Sequence, residues 1–155
     1  MGQVLPLLQE EAGRVRLSSR LGWFLLVSGV VLDQGLKFLA RADLLGFEVG
    51  PVCFGFRLNR GVFLSQLEGF GLVASSFGFL ALLFLFGTVR GEGKFVLLGG
   101  ALSNLVDRLW LGGVVDPLVL RGVPVLGEVF FNVADLMVLA GTAWVLREEV
   151  FRLAR

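Results

Sequence analysis

The chain contains no histidine and only one cysteine, Cys53. The first absence excludes His-based triads, His-ligated metal sites and ordinary imidazole acid–base chemistry. The second excludes an internal disulfide. Charge is also scarce. Charged residues make up 17% of the chain, against about 25% in an average soluble domain. The formal net charge of +1 gives no field to attract phosphate, which excludes a nucleic-acid binder. What is abundant is apolar. Hydrophobic residues account for 55% of the 155 positions and mean hydropathy is +0.82. The excess is gathered in long runs, which excludes a soluble globular enzyme and a disordered chain. Any chemistry must rest on 13 acids, 14 bases, serine, asparagine and backbone. The length points to one domain, residues 1–155.

Four runs stand out: 21–40, 69–89, 95–112 and 129–146. Each is near the ~20 residues a helix needs to cross a bilayer. The first is too long for the h-region of a signal peptide and is followed by no small-x-small cleavage pattern, so it is expected to stay in the mature protein. Four transmembrane helices are therefore expected. With the N-terminus inside, the cytoplasmic side carries Arg14, Arg16, Arg20, Arg90, Lys94, Arg147, Arg152 and Arg155. The outer side carries only Arg41, Arg57, Arg60 and Arg121. That asymmetry predicts both termini in the cytoplasm. The stretch Val52 to Asn59 shows partial two-residue alternation and reads as a short strand or hairpin. A second outer segment, 113–128, is punctuated by Pro117, Gly122, Pro124 and Gly127. The expected fold is an all-α membrane protein: four transmembrane helices and a small extracytoplasmic β-rich segment between the first two.

A carboxylate inside a membrane span is expensive and marks a functional suspect. At ~1.5 Å per residue, Asp33 and Asp107 each lie ~18 Å above the inner face, and Asp135 lies ~9 Å below the outer face. Asp116 follows the Gly112-Gly113 break and belongs at the outer boundary. Four aspartates thus gather in the outer half of the bilayer, with Lys37 and Arg108 beside them. Two carboxylates held close share a proton, so that one takes a proton from water while the other polarises a carbonyl. That is aspartic-peptidase chemistry. The plain alternative is that the acids pair with Lys37 and Arg108 and only hold the bundle together, or line the path of a small carrier. Depth alone would pair Asp107 with Asp135.

The motifs are more specific than the depths. They run Asp33-Gln34-x-x-Lys37, then Asn59-x-Gly61-x-x-x-Ser65, then Gly99-Gly100-Ala101-Leu102-Ser103-Asn104-Leu105-Val106-Asp107-Arg108, then Val114-Val115-Asp116, then Phe131-Asn132-Val133-Ala134-Asp135. In this order, on four spans and in a chain of this length, the set closely resembles signal peptidase II, the bacterial lipoprotein signal peptidase family. The resemblance covers about residues 33–141.

The resemblance implies an aspartic endopeptidase of the bacterial inner membrane. Such an enzyme cuts the signal peptide from prolipoproteins just before a cysteine carrying diacylglycerol. It assigns the catalytic pair to Asp116 and Asp135, and so replaces Asp107 with Asp116. Asp33, Lys37, Asn59, Gly61, Asn104, Asp107, Arg108 and Asn132 fall to substrate-binding or supporting roles. No cofactor and no metal is expected. The partners expected are lipid-modified prolipoproteins and membrane lipid, not nucleic acid, with the chain acting as a monomer. An inactive scaffold is the further alternative, and the presence of both aspartates speaks against it. The chain departs from the family pattern at Val62, Phe63, Ser103, Pro117 and Leu136. The Val62-Phe63-Leu64 run is expected to cover the bound peptide. Cys53 reads as an inert buried thiol.

Overall fold

The computed structural model describes residues 4–60, 71–125 and 127–154. Four helices account for most of it: α1 (Val4–Arg41), α2 (Gly71–Phe86), α3 (Gly93–Leu111) and α4 (Val133–Leu153). Six short strands fill the two gaps on one side. β1 (Phe47–Val49), β2 (Val52–Phe54) and β3 (Leu58–Asn59) follow α1, while β4 (Val114–Val115), β5 (Leu118–Val123) and β6 (Gly127–Phe131) lie between α3 and α4. They form an antiparallel four-stranded sheet in the order β1-β2-β5-β6 and a separate β3-β4 pair.

The β-rich part is therefore larger than the sequence reading allowed. It is built jointly from the segment after α1 and the segment after α3, with Val52 opposite Leu120 and Phe54 opposite Leu118. Residues 113–128 are not a plain loop. Gly122, at φ +74, sits in the register irregularity between Arg121 and Val123, so the chain bends there without leaving the ladder. The fourth helix also begins later than expected. Val129 to Phe131 pair with β5, and helix geometry starts at Val133.

Each helix end is set by local chemistry. α1 stops where Asp43 adopts φ 54 and the Leu44 N–H reaches back to the Leu39 carbonyl, a left-handed cap in which a short polar side chain is tolerated. α3 stops at Gly112, φ 70, whose N–H bonds to the Arg108 carbonyl. The next residue, Gly113, lies so close to the Asn59 carbonyl that a Cβ would fall 2.8 Å from it. Only glycine lets β3 and β4 meet there. α4 opens with Asn132 as N-cap and Asp135 at the third position, each side chain bonding the other's backbone N–H.

α3 is the central helix and packs against the other three. On one side Leu26, Phe95 and Leu98 form a core joined by Phe79, Leu82 and Phe86. On another, α4 approaches so closely that a Cβ on Gly100 would meet the Ala134 carbonyl at 2.4 Å. The distribution of polarity is inverted relative to a soluble domain. Phe24, Phe77, Phe84 and Leu139 are each at least 66% exposed, whereas Asp33, Lys37, Ser103, Asp107, Asp116 and Asn132 are each at most 3% exposed. The Arg20–Arg41 part of α1 is long and apolar enough to cross a membrane, and Val73–Phe86 is a shorter apolar helix.

Candidate active site

The buried polar residues form one connected network where α1, α3 and the start of α4 meet the β3-β4 pair. Its inner layer is an ionic cluster. Asp33 and Lys37 lie one turn apart on α1, and the Lys37 ammonium is 2.6 Å from Asp33 Oδ2. The same ammonium is 2.9 Å from Asp107 Oδ2 on α3. It also donates to Asn104 Oδ1 at 3.0 Å. A lysine has three N–H donors, and here each has an acceptor.

The two carboxylates of this layer are further engaged. Asp33 Oδ1 accepts from the Ala134 N–H at 2.8 Å, and Oδ2 accepts from the Ser103 hydroxyl at 2.7 Å. Asp107 accepts from Gln34 Nε2 at 2.9 Å and from the Val115 N–H at 3.0 Å. Asp33 thus holds the first turn of α4 and Asp107 holds β4. Both work as braces, each tied to Lys37.

The outer layer contains Asp116 and Asp135. Asp116 leaves β4 with its N–H bonded to the Arg57 carbonyl at 2.9 Å. Its carboxylate accepts from Asn132 Nδ2 at 2.7 Å and from Asn59 Nδ2 at 3.1 Å. Asp135 accepts from Asn104 Nδ2 at 2.8 Å and from the Asn132 N–H at 3.2 Å. Asn132 therefore touches both acids. Its Oδ1 accepts from the Asp135 N–H at 2.8 Å, so the cap that starts α4 is also the bridge of the pair. The order of the Asn104 amide is fixed in the same way: its oxygen faces Lys37, which turns its NH₂ toward Asp135.

Burial is the first cause of a rise in the Asp116 pKa, from 3.8 to about 6; the charge of Asp135 is the second. The amides of Asn59 and Asn132 oppose that rise. Asp116 is 2% exposed, while Asp135 is half-buried and can be reached from outside. Arg108 is half-buried on α3, within the field of Asp135, Asp116 and Asp107.

Asp33, Lys37, Asn59, Asn104, Asp107, Arg108, Asp116, Asn132 and Asp135 are thus brought together. Gly61 lies outside the described residues, as do Ser65 and the Val62-Phe63-Leu64 run expected to cover the site. Cys53 is buried in β2, within the four-stranded sheet. Two further members of the network, Gln34 and Ser103, carried no role in the sequence reading. Gln34 stands inside the Asp33-x-x-x-Lys37 turn and Ser103 beside Asn104, and that proximity was the available signal. Among the described residues, no group of three or more acids or thiols is arranged to hold a metal ion.

Fold and site together define a helical protein with an acid-rich interior beneath a small antiparallel sheet. Two solved structures share this fold. Both are described as bacterial membrane enzymes determined by the in meso method. One, at 2.3 Å resolution, has a TM-score of 0.67 and 23% identity over 84% of this chain and 87% of its own. The other, at 1.9 Å, has a TM-score of 0.66 and 24% identity over 82% and 90%. The family model for signal peptidase II matches residues 25–151. Lipoprotein signal peptidases of Brucella ovis and Brucella canis are each 31% identical over 140 residues, covering 81% of this chain and 87% of theirs. The chain belongs to the signal peptidase II family, a family of bacterial membrane peptidases that process lipoproteins.

Proposed function

We propose that this chain is an integral membrane aspartic endopeptidase. It removes the signal peptide from diacylglyceryl-modified prolipoproteins by cutting before the lipidated cysteine, with Asp116 and Asp135 as its catalytic pair. The observation that carries this reading is the division of the four buried aspartates. Asp33 and Asp107 are each in direct contact with Lys37. Asp116 and Asp135 are held by asparagine amides and bridged by Asn132. An amide steadies a carboxylate without supplying a full positive charge, which leaves the pair able to exchange a proton.

The reaction uses one proton of the pair. In the reacting form Asp116, whose pKa burial and its neighbour raise from 3.8 to about 6, carries it. The Asp135 carboxylate removes a proton from water as the oxygen attacks the scissile carbonyl. Asp116 donates its proton to the carbonyl oxygen, giving a neutral tetrahedral diol. On collapse, Asp135 delivers its proton to the leaving nitrogen as the C–N bond breaks, and Asp116 recovers its own from the hydroxyl that becomes the new carbonyl. The pair is regenerated with one proton, as paired carboxylates require.

The outward apolar faces of the helices support a single membrane domain in which all four helices cross the bilayer, the first near 21–40, the second around Gly71–Phe86, the third near 95–112 and the fourth from Val133. Cytoplasmic termini follow from the arginine and lysine distribution, and the sheet then lies on the outer face. A carrier would need buried polar groups along the whole bundle. Beyond the network, the bundle interior holds Leu26, Phe95 and Leu98 instead.

The test is cleavage of a diacylglyceryl-modified prolipoprotein by the purified protein and its Asp116→Asn, Asp135→Asn and Asp107→Asn variants, with folding checked by thermal unfolding. Asp116→Asn and Asp135→Asn are expected to lose cleavage and remain folded. Near-normal turnover in Asp116→Asn, with loss in a folded Asp107→Asn, would make Asp107 the partner of Asp135.

A further inference from the structure

The ionic cluster beneath the acid pair rests on two residues outside the catalytic reading. Ser103 is fully buried on α3. Its hydroxyl donates to Asp33 Oδ2 at 2.7 Å and accepts from Gln34 Nε2 at 2.9 Å. Gln34 Nε2 also lies 2.9 Å from Asp107 Oδ1 and 3.2 Å from the Ser103 carbonyl. The Ser103–Gln34 contact thus spans the two carboxylates that flank Lys37, and pins α1 to α3.

Asp33 is the point at which this matters for Asp135. One carboxylate oxygen takes the Ser103 hydroxyl and the Lys37 ammonium; the other takes the Ala134 N–H at 2.8 Å. Ala134 is the residue before Asp135. Lys37 reaches Asp135 by a second route, through Asn104 Oδ1 and Nδ2. The Asp33 carboxylate can turn about its side-chain bonds. A donor on its buried side selects one rotamer, and that rotamer presents Oδ1 to α4. Without the hydroxyl, Asp33 can turn toward Lys37 alone, releasing the Ala134 N–H and drawing the ammonium away from Asn104.

We propose that Ser103, with Gln34, is a positioning residue of the acid pair: it fixes the Asp33 carboxylate, which places Asp135 both through the α4 backbone and through the Lys37–Asn104 relay. This rests on the aspartic reading given above, with Asp135 as the residue that activates water. A displacement of about 1 Å in a reacting group can lower a rate by on the order of a hundredfold. Ser103→Ala is therefore expected to lower kcat by roughly ten- to a hundredfold, with KM within about twofold of the parent, because substrate contacts are untouched. Gln34→Leu should lower kcat in the same direction. The double variant should be about as slow as the slower single one, since both act on the same carboxylates.

The experiment measures kcat and KM on a diacylglyceryl-modified prolipoprotein in one detergent, with the unfolding temperature of every variant. Leu98→Ala, in the apolar core away from the acids, is the control for destabilisation alone and should lower the unfolding temperature while leaving kcat near the parent value. Ser103→Cys, a near-isostere with a weak donor, should recover part of the rate. If Ser103→Ala does not fold, Gln34→Leu and Ser103→Cys carry the test. Parent-like kcat in the folded variants, or an equal loss in Leu98→Ala, overturns the proposal. Asp135→Asn in the same series separates the two readings. If it is inactive while Ser103→Ala matches the parent, only the positioning role fails; if it stays active, the aspartic reading itself fails.

Discussion

Replacing Asp116 by asparagine should make the protein more stable at neutral pH while removing its activity. The carboxyl is 2% exposed, and its pKa is raised from 3.8 to about 6 by burial first and by the Asp135 charge second. The sign follows from linkage. A carboxyl with a raised folded-state pKa binds its proton more tightly in the folded protein. Its stabilising effect is full below 3.8 and is lost as pH rises through about 6. That gap corresponds to ~3 kcal/mol of ionisation penalty at neutral pH. Asparagine never ionises, so it removes the penalty. It keeps an oxygen for Asn132 Nδ2, but turns an NH₂ toward Asn59 Nδ2 in place of the acceptor that stood 3.1 Å away. Losing that bond costs about 1 kcal/mol. A net gain of ~2 kcal/mol remains, or roughly 4–8 °C for a chain of this size. Thermal unfolding of parent and variant in one detergent, from pH 4 to pH 8, reads it directly. The variant should unfold several degrees higher at pH 8, and at or below the parent temperature at pH 4. A difference that does not change with pH, or a parent more stable at pH 8, would refute the account of Asp116 as a buried, reluctantly ionised acid.

Three other outcomes are expected. Gly100→Ala should lower stability by about 1–3 kcal/mol, because its Cβ would sit 2.4 Å from the Ala134 carbonyl; turnover should fall with it, since Ala134 adjoins Asp135, and thermal unfolding with a cleavage assay checks both. Cleavage should persist in excess EDTA, given a chain without histidine and with no metal-holding group among the described residues; loss in EDTA with recovery on one divalent ion would contradict the acid-pair mechanism. Matched substrates with and without the diacylglyceryl group should differ strongly in cleavage rate, because lipid burial at ~0.8 kcal/mol per CH₂ holds the scissile bond at the depth of the acids; equal rates in one detergent would point to recognition by peptide sequence alone.

The helices were legible in the sequence because their signal is local. Apolar runs mark them, and Gly112 marks the end of α3, but the apolar run from Val129 hides the Asn132 cap that starts α4. The sheet was only half legible. Val52 to Asn59 showed alternation, but β5 and β6 lie in a stretch where Pro117, Gly122, Pro124 and Gly127 read as turn punctuation. Their strand character comes from pairing with β2 and with each other, and Val52 opposite Leu120 is a contact between residues far apart in sequence. No local pattern encodes it. The network was legible as a list of residues but not as two layers. Asp107 and Asp116 are the same residue type, and predicted depth favours Asp107 as the partner of Asp135. What separates them is that Lys37, one turn after Asp33 on another helix, reaches Asp107.

On the proposed mechanism, that separation lets four aspartates of identical chemistry serve two purposes. A buried carboxylate in contact with an ammonium forms an ion pair, and removing it would strand the cation. Asp33 and Asp107 are in that position with Lys37, and each also accepts one backbone N–H, that of Ala134 for one and of Val115 for the other, beside the Ser103 hydroxyl and the Gln34 amide. Those two backbone groups immediately precede Asp135 and Asp116. The lysine-paired acids thus hold the backbone next to Asp135 and Asp116, while Asn104 joins the two layers through a neutral amide. Substituting Asn132, which touches both acids, with aspartate would add a third charge beside the pair, and with lysine would set a full positive charge there. On the proposed mechanism, either change would disturb the single shared proton that cleavage by two carboxylates requires. Asn104, whose amide accepts from Lys37 and donates to Asp135, joins the layers without adding a charge to either.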